Sequence, residues 1–372
     1  MNPFIPQPLP IKEIAWERLI PLIGKANRSL AHYEGVLYGV PNPEVLLSPL
    51  TTQEAVLSSK IEGTQASLGE VLKFEAGEIP TQEARKQDIH EILNYRNALT
   101  QAEQALKKKP FNLNLLLALH STLLNSVRGR DKGRGKFRTS QNWIGSPGSS
   151  MEEAEFVPPA PLTIMHHLDI WEKYYHSDLA DPLVQLAVVH AQFEIIHPFV
   201  DGNGRLGRIL VPLFLHEKGL LSRPMFYLSA YLEKNRDEYI ARLRNIGRDD
   251  SEAWNKWIEF FLGAIESEAR ANAQKARTIM DLYAKLKGRV IAITRSAYAI
   301  PLLDQLFARP LFLSTSLKFS DAKGPSRQLI SLMLRKLEGE QIIKYVRRGS
   351  GRRPHVMCLA ELLNICEGKK VI

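Results

Sequence analysis

Apolar positions recur at helical spacing along most of the chain, and strand-like patterning is confined to two short places. Four prolines in residues 1–10 predict an extended arm on the surface. Helical periodicity follows from Lys12 to Leu37, broken at Pro21, and GVPNPEVLLSPL at 39–50 reads as a loop. A short helix over 51–63 takes Thr51 or Thr52 as N-cap, with Glu54 completing a capping box, and stops at Gly63. Further helices are predicted over 67–75, 81–108, 112–127, 162–177, 182–196, 204–218, 231–246 and 252–280. The last of these carries Trp254 and Trp257 early and many charges late, as a connector leaving a core would. The β-prone pieces NWIG and EFVPP flank a turn of Ser, Pro and Gly between the 112–127 and 162–177 helices, which predicts a hairpin or flap.

From about residue 288 the texture changes to helix, turn, helix and a basic two-stranded tip. Ser326 caps the second helix, Leu329, Leu332, Leu334 and Leu337 give it an apolar face, and IIKYV and HVMCL flank an arginine-glycine loop. This is the pattern of a winged helix-turn-helix module. The expected fold is mainly α, in four stretches: an N-terminal helical region over 1–110, a helical core over 111–265, a connecting helix over 266–287 and the winged helix over 288–372.

Composition narrows the class. In 372 residues, 44% hydrophobic and 24% charged, no apolar run reaches the ~18 residues of a membrane span. The first residues lack the basic start and apolar core of a secretory signal, so the expected location is cytoplasmic, without a membrane partner. Cys358 and Cys366 are too few for a disulfide framework or a four-cysteine zinc site. The net charge of +9 permits nucleic-acid contact without demanding it, because the excess sits in local clusters at 107–109, 128–138 and 347–353.

One polar island stands out. HPFVDGNGRLGR, His197 to Arg208, lies between the apolar runs LVQLAVVHAQFEII and ILVPLFL. Burying its charges without partners is costly, so a ligand is implied. Pro198 disfavours helical backbone at His197, which stops the preceding helix there. Gly202, Asn203 and Gly204 leave N–H groups uncovered at the start of the next helix, an anion-binding arrangement. Arg205 and Arg208, three apart, reach phosphate oxygens together. Asp201 is suited to hold Mg²⁺ against those phosphates, and His197 to act as general base. A competing set, His190, Glu194 and His197 at i, i+4 and i+7, suggests zinc, but Pro198 puts His197 past the helix end and the glycines and arginines go unused.

HPFVDGNGRLGR resembles the Fic family signature, H-P-F-x-[DE]-G-N-G-R-x-x-R, at every fixed position. The flanking helices and the upstream flap are similar to that family's layout over roughly 110–265. The resemblance implies a Fic-type helical core with a β-hairpin flap, and transfer of AMP from ATP to a Ser, Thr or Tyr hydroxyl of a target protein, with Mg²⁺. It implies His197 as base, Asp201 as metal ligand and Arg208 on the γ-phosphate. Gly202, Asn203, Gly204 and Arg205, with Leu206 and Gly207 in the same turn, form the ATP cradle. It places the flap at Ile144, Gly145, Ser146 and Pro147, where a target strand is aligned, and Tyr239 beside the adenine. Gly202 and Gly204 stand where the phosphate-transferring branch has alanine and lysine, which favours AMP transfer. Ser58, Glu62 and Gly63 resemble the family's inhibitory motif S-x-x-x-E-G, which implies that Glu62 pairs with Arg208 in place of the γ-phosphate. Self-modification, a homodimer, and DNA or a partner protein at the basic tip remain open. The rival reading is a nucleotide-sensing, DNA-binding transcription regulator.

Overall fold

The structure, a computed structural model, describes residues 2–126, 132–145, 148, 150–178, 181–246, 252–319, 324–350 and 353–370. Among these residues the chain forms α1 (Trp16–Tyr38), α2 (Pro43–Leu46), α3 (Ser48–Ile61), α4 (Leu68–Glu75), α5 (Glu83–Leu106) and α6 (Leu113–Leu123). A 3₁₀ turn (Pro161–Thr163) leads into α7 (Ile164–His176), followed by α8 (Pro182–Ile196), α9 (Asn203–Glu217), α10 (Ser229–Lys234), α11 (Arg236–Ile246) and α12 (Ala253–Thr294). The C-terminal part adds α13 (Ala299–Ala308), β1 (Leu311–Leu313), α14 (Arg327–Gly339), β2 (Lys344–Arg347), β3 (Val356–Cys358) and α15 (Ala360–Glu367). The fold is mostly helical, as expected, with one small sheet, and among the described residues the flap is tied by a single bridge between Ile144 and Phe156. None of the described helices is long and apolar enough to cross a membrane.

The chain divides into two compact units. The first comprises Met1–Glu34, Leu57–Thr64 and Leu93–Arg270. Its centre is α8, which is apolar on every side and therefore has to be enclosed: Leu183 through Phe193 are all buried. Asp181 starts it by accepting from the N–H groups of Leu183 and Val184, with Pro182 in the first turn where its missing N–H costs nothing. α7 and α9 pack along it. Two buried indoles brace it from outside, Trp171 donating to Val189 O and Trp257 to Ala187 O, both at 2.8 Å. The proline-rich arm is anchored in the same unit, with Phe4 N donating to Val157 O and Gln192 Nε2 to Gln7 O.

The second unit comprises Gly35–Val56, Gln65–Ile92 and Ala271–Ile372. It holds an antiparallel sheet in the order β1-β3-β2, with Leu311 opposite Cys358 and Tyr345 opposite Met357. α13 packs on α2, and α4 on β1.

Several boundaries differ from the sequence reading, each for a local reason. α3 begins at Ser48, a turn before Thr51 and Thr52, because Pro49 is tolerated in a first turn; Thr52 Oγ1 donates back to Ser48 O rather than capping. Pro21 does not break α1, which continues through it while Leu19, Ala26, Leu30 and Tyr33 bury its apolar face. α6 stops at Leu123, short of 127. The 231–246 helix is two helices meeting at Asn235, whose amide donates to Tyr231 O. α12 runs unbroken to Thr294. β1 and α15 had no distinct pattern in the sequence. Ser326 caps α14 through Leu329 N, but Leu332 is 44% exposed and Met333 takes its place on the buried face. Arg347 in the basic tip is paired with Glu78 at 2.6 Å.

Candidate active site

All the geometry that follows lies in the first unit. α8 ends at Ile196, and His197 turns the chain out of the helix with φ 48° and ψ 59°, its N–H still donating to Phe193 O. A non-glycine residue in this left-handed conformation is costly and has to be held by its surroundings. His197 Nδ1 lies 3.3 Å from Glu194 O. A carbonyl only accepts, so Nδ1 carries the proton and Nε2 keeps its lone pair, the form a base needs. Burial chiefly lowers the imidazole pKa to about 4, with Arg138 acting in the same direction, so the ring is neutral at pH 7.

The loop from Pro198 to Gly202 is fixed by its own residues. Asn203 uses its side chain at both ends, accepting from Phe199 N and donating to Phe199 O, each at 2.9 Å. Gly202 takes φ 83°, and α9 starts there without a side-chain cap, which leaves its N-terminal dipole facing the site. From behind, His120 stacks on Phe199 with centroids 3.9 Å apart. Gly135 N donates to His120 Nδ1, so Nε2–H donates to Asp201 O at 3.0 Å and pins the loop where the carboxylate leaves it. The Asp201 side chain is 42% exposed and lies 3.4 Å from Arg205 Nη2.

Arg208 is 1% exposed and reaches α3. Its Nε donates to Ser58 Oγ at 2.7 Å, and Nη2 to Ser58 O at 3.0 Å and to Glu62 Oε1 at 2.7 Å. Burial opposes the guanidinium charge, but Glu62 outweighs it and the pKa is raised. For Glu62, burial likewise acts against the charge, and Arg208, then Arg205 and His197, hold the pKa below the usual carboxylate range. Gly204 makes the approach of Glu62 sterically feasible: a Cβ there would overlap Glu62 Oε1 and stand 3.1 Å from Arg208 Nη1. The Glu62 carboxylate is therefore an anion seated in the first turn of α9. Beside it opens a cavity of about 460 Å³, lined among others by Trp143, Ile144, His197, Arg236, Tyr239 and Arg244. Phe156 N donates to Ile144 O across the flap, and Arg244 pairs with Glu155 on its second arm.

Comparison with known proteins agrees with this arrangement. The model for the Fic/DOC family N-terminal region matches residues 20–104, and the Fic/DOC family model matches residues 110–215. The chain belongs to the Fic/DOC family. Its relatives include the probable protein adenylyltransferase aq_aa38 of Aquifex aeolicus (strain VF5), 24% identical over 323 residues, with 80% of this chain and 92% of that protein covered. Protein adenylyltransferase fic-1 of Caenorhabditis elegans is 29% identical over 225 residues, with 56% of this chain and 41% of that protein covered, so the match spans less than half of the worm protein. Among solved structures, a Fic family protein from Desulfovibrio desulfuricans G20 superposes with TM-score 0.57 at 19% identity, covering 96% of this chain and 98% of that one. Fic-1 (residues 134–508) from C. elegans gives 0.53 at 21% identity, covering 72% and 75%.

The structure brings His197, Asp201, Gly202, Gly204, Arg208, Ser58 and Glu62 of this Fic chain together, and Gly63 with φ 98° turns the backbone after Glu62. Leu206 and Gly207 do not belong to the cradle. Leu206 N donates to Gly202 O inside the helix and its side chain is in the core, while Gly207 is packed against Glu194 and His190. Asn203 spends its amide on Phe199, so only its backbone faces the site. Tyr239 is buried at the cavity wall with its hydroxyl donating to His190 Nε2 at 2.9 Å. Ile144 and Gly145 line the cavity; Ser146 and Pro147 lie outside the described residues.

The zinc reading fails on bonding. His190 Nδ1–H is committed to Gly207 O and Nε2 to Tyr239, its pKa is lowered to about 3 by burial, and the described residues contain no group of three ligands that could hold a metal. Glu194 plays a different part. Its Oε1 has no hydrogen-bond partner among the described residues, and burial pushes its pKa up to about 8. Between about 4.5 and 8 the unfolded chain has released this proton while the native state retains it, so stability falls as pH rises. Glu194→Gln removes that loss. The melting temperature of the variant relative to wild type is expected to climb from pH 5 to pH 8, and a pH-independent difference would contradict the assignment.

Proposed function

We propose that this Fic chain transfers AMP from ATP to a Ser, Thr or Tyr hydroxyl of a target protein, and that Glu62 holds it inhibited. The observation that carries the reading is the carboxylate of Glu62 resting at Gly204 on Arg208, an anion in a site built for anions. A triphosphate offers the same contact through its γ-phosphate. Its inner phosphates would then face the N-terminal turn of α9 at Gly202, Asn203, Gly204 and Arg205. His197 Nε2 takes the proton of the target hydroxyl, the oxygen bonds to the α-phosphorus, and the bond to the β-phosphate oxygen breaks with release of pyrophosphate. The flap edge at Ile144 and Gly145 is suited to align the target backbone by strand addition. Tyr239 and the cavity wall beside it are where the adenine fits.

The donor set suits Mg²⁺. A single half-exposed carboxylate beside a phosphate cradle is the kind of ligand this ion takes, its other positions filled by water and phosphate. Asp201 would hold it, and the ion would neutralise charge on the phosphates.

Wild type and Glu62→Gly are to be incubated with α-³²P-labelled ATP and Mg²⁺. Covalent label on protein, greater in the variant, is the expected result; no label in either would end the proposal. Gly204→Ala gives an independent check. Its methyl displaces Glu62 but also blocks the phosphate approach, so it is expected to label no better than wild type, by the same gel assay. Activation by Gly204→Ala would mean that the cradle is not where the phosphates sit.

The C-terminal order α13, β1, α14, β2, β3 supports the winged helix-turn-helix reading. The regulator reading rests on the basic tip, but Arg347 is already neutralised by Glu78 and Arg352 lies outside the described residues. Arg348, stacked on Tyr345 at 4.5 Å and 4.0 Å from Glu338 but largely exposed, and Arg353 are the phosphate contacts this reading would use. Salt-dependent binding to random duplex DNA is its test.

A further inference from the structure

Arg138 falls in a run of basic residues, RGRDKGRGKFR, that resembles a solvated charge cluster, yet it is 3% exposed. Among the described residues it pairs with carbonyls and with no carboxylate. Its Nε donates to His197 O at 2.9 Å, Nη2 to Pro159 O at 2.5 Å and to Ile196 O at 3.5 Å, and Nη1 to Ser140 O at 3.3 Å. Its own N–H donates to Pro198 O at 2.9 Å. These acceptors come from three pieces of chain. Ile196, His197 and Pro198 are the end of α8 and the residue after the proposed base. Ser140 lies on the chain entering the flap, and Pro159 on the chain leaving it.

Each set of bonds answers a physical need. The last carbonyls of a helix have no partners within it, and they form the negative end of its dipole, so a buried cation there is favourable. His197 holds a left-handed conformation that a histidine does not adopt without constraint, and Arg138 grips the carbonyl of that residue. A planar guanidinium with donors in fixed directions can bind several carbonyls at once, where an ammonium is a compact point charge. Burial lowers the Arg138 pKa to about 10, so it remains charged at neutral pH.

We propose that Arg138 is a positioning residue that couples the flap to the base: it holds His197 in its left-handed turn and ties both roots of the flap to that turn. A target hydroxyl aligned by the flap then meets the imidazole in a fixed relation. The inference rests on the adenylyltransferase reading for its catalytic consequence. Its structural part, the placement and charge environment of His197, stands apart from it.

The test uses the full chain carrying Glu62→Gly, with Arg138→Gln or Arg138→Lys added, and three measurements: Mg²⁺·ATP affinity by calorimetry, AMP incorporation from α-labelled ATP, and titration of the His197 imidazole by NMR. Arg138 touches no residue of the cradle, so ATP affinity is expected to stay within about twofold of the parent. A misplacement near 1 Å costs about 100-fold in rate, and Arg138→Gln is expected to lose that much. Arg138→Lys keeps the charge but not the fork and is expected to lose less. Arg138 lowers the His197 pKa, Glu62 and Asp201 raise it, Glu194 reaches the ring through its backbone carbonyl, and Arg208, Arg236 and Arg244 line the same cavity; Glu62 is absent from this background. Removing the Arg138 charge raises the His197 midpoint in Arg138→Gln, whereas Arg138→Lys leaves it near the parent. A folded Arg138→Gln with unchanged rate and unchanged His197 midpoint would overturn the proposal. So would a fall in ATP affinity matching the fall in rate, and, should Arg138→Gln fail to fold, an Arg138→Lys variant as fast as the parent. If the Arg138-containing parent transfers no AMP, the functional reading fails, while the His197 titration still decides the positioning role.

Discussion

Glu62→Gly is expected to raise AMP incorporation from α-labelled ATP on the order of 10- to 100-fold, measured as initial rate at a fixed, subsaturating ATP concentration. Three hydrogen bonds join Arg208 to α3 and the residue after it. Two come from Ser58, at 2.7 and 3.0 Å, and one from Glu62, at 2.7 Å. Removing Glu62 leaves the Ser58 bonds, so the guanidinium stays placed while its charge loses its partner. Glu194, the other carboxyl near it, has its pKa raised chiefly by burial, which the substitution leaves in place, while the loss of Glu62 lowers it. A γ-phosphate then meets a buried, uncompensated cation instead of displacing a carboxylate. A charge-assisted hydrogen bond contributes roughly 1.5–3 kcal/mol, and each 1.4 kcal/mol is tenfold, which sets the range. Glu62 is 40% exposed, so screening by water keeps the effect toward the lower end. The same change is expected to lower the melting temperature without nucleotide and to make Mg²⁺·ATP more stabilising than in wild type. Equal rates and equal nucleotide stabilisation in the two proteins would remove the inhibitory role of Glu62.

How far this site can be read from sequence depends on whether its parts are local. His197 to Arg208 is twelve consecutive residues, and spacing alone places a histidine at a helix end and two glycines at the next helix start. The partnership of Glu62 with Arg208 spans nearly 150 positions, and no periodicity relates them; it entered through the family resemblance. Arg138 carried no signal, because its partners are backbone carbonyls, which every residue possesses, and its neighbours are ordinary exposed cations. Glu194 could be seen as a carboxyl on a helix, but not as one enclosed by His190, Gly207 and Arg208. In the fold, the long amphipathic helices were legible and their ends were not. Prolines at 21 and 49 read as breakers in the sequence, whereas the packed face of α1 overrides the first and a helix first turn accepts the second. Short elements such as β1, three residues long, and α15, eight residues long, owe their existence to neighbours in the sheet and core rather than to a pattern of their own.

His197→Ala, made in the Glu62→Gly background, is expected to lower AMP transfer by about 10²–10⁴-fold, the range for loss of a general base. ATP affinity should change little, because the cradle is formed by α9 and the loop before it. Alanine pays much the same left-handed backbone cost as histidine at φ 48°, and the Arg138 bond is to a backbone carbonyl that the substitution retains, so the turn is expected to persist. The pH dependence separates a base from a merely structural histidine. With Nδ1–H held by Glu194 O and the pKa lowered to about 4, the imidazole is neutral and able to accept a proton throughout the neutral range. The Glu62→Gly enzyme should therefore show no loss of rate from pH 8 down to pH 6, and an acid limb only as pH approaches the lowered value. Glu62 itself acts to raise that pKa, so its removal moves the limb further toward acid. The residual rate of His197→Ala has no imidazole to protonate and should lack the limb altogether. Transfer undiminished in His197→Ala, or an acid limb that survives the substitution, would show that another group takes the proton.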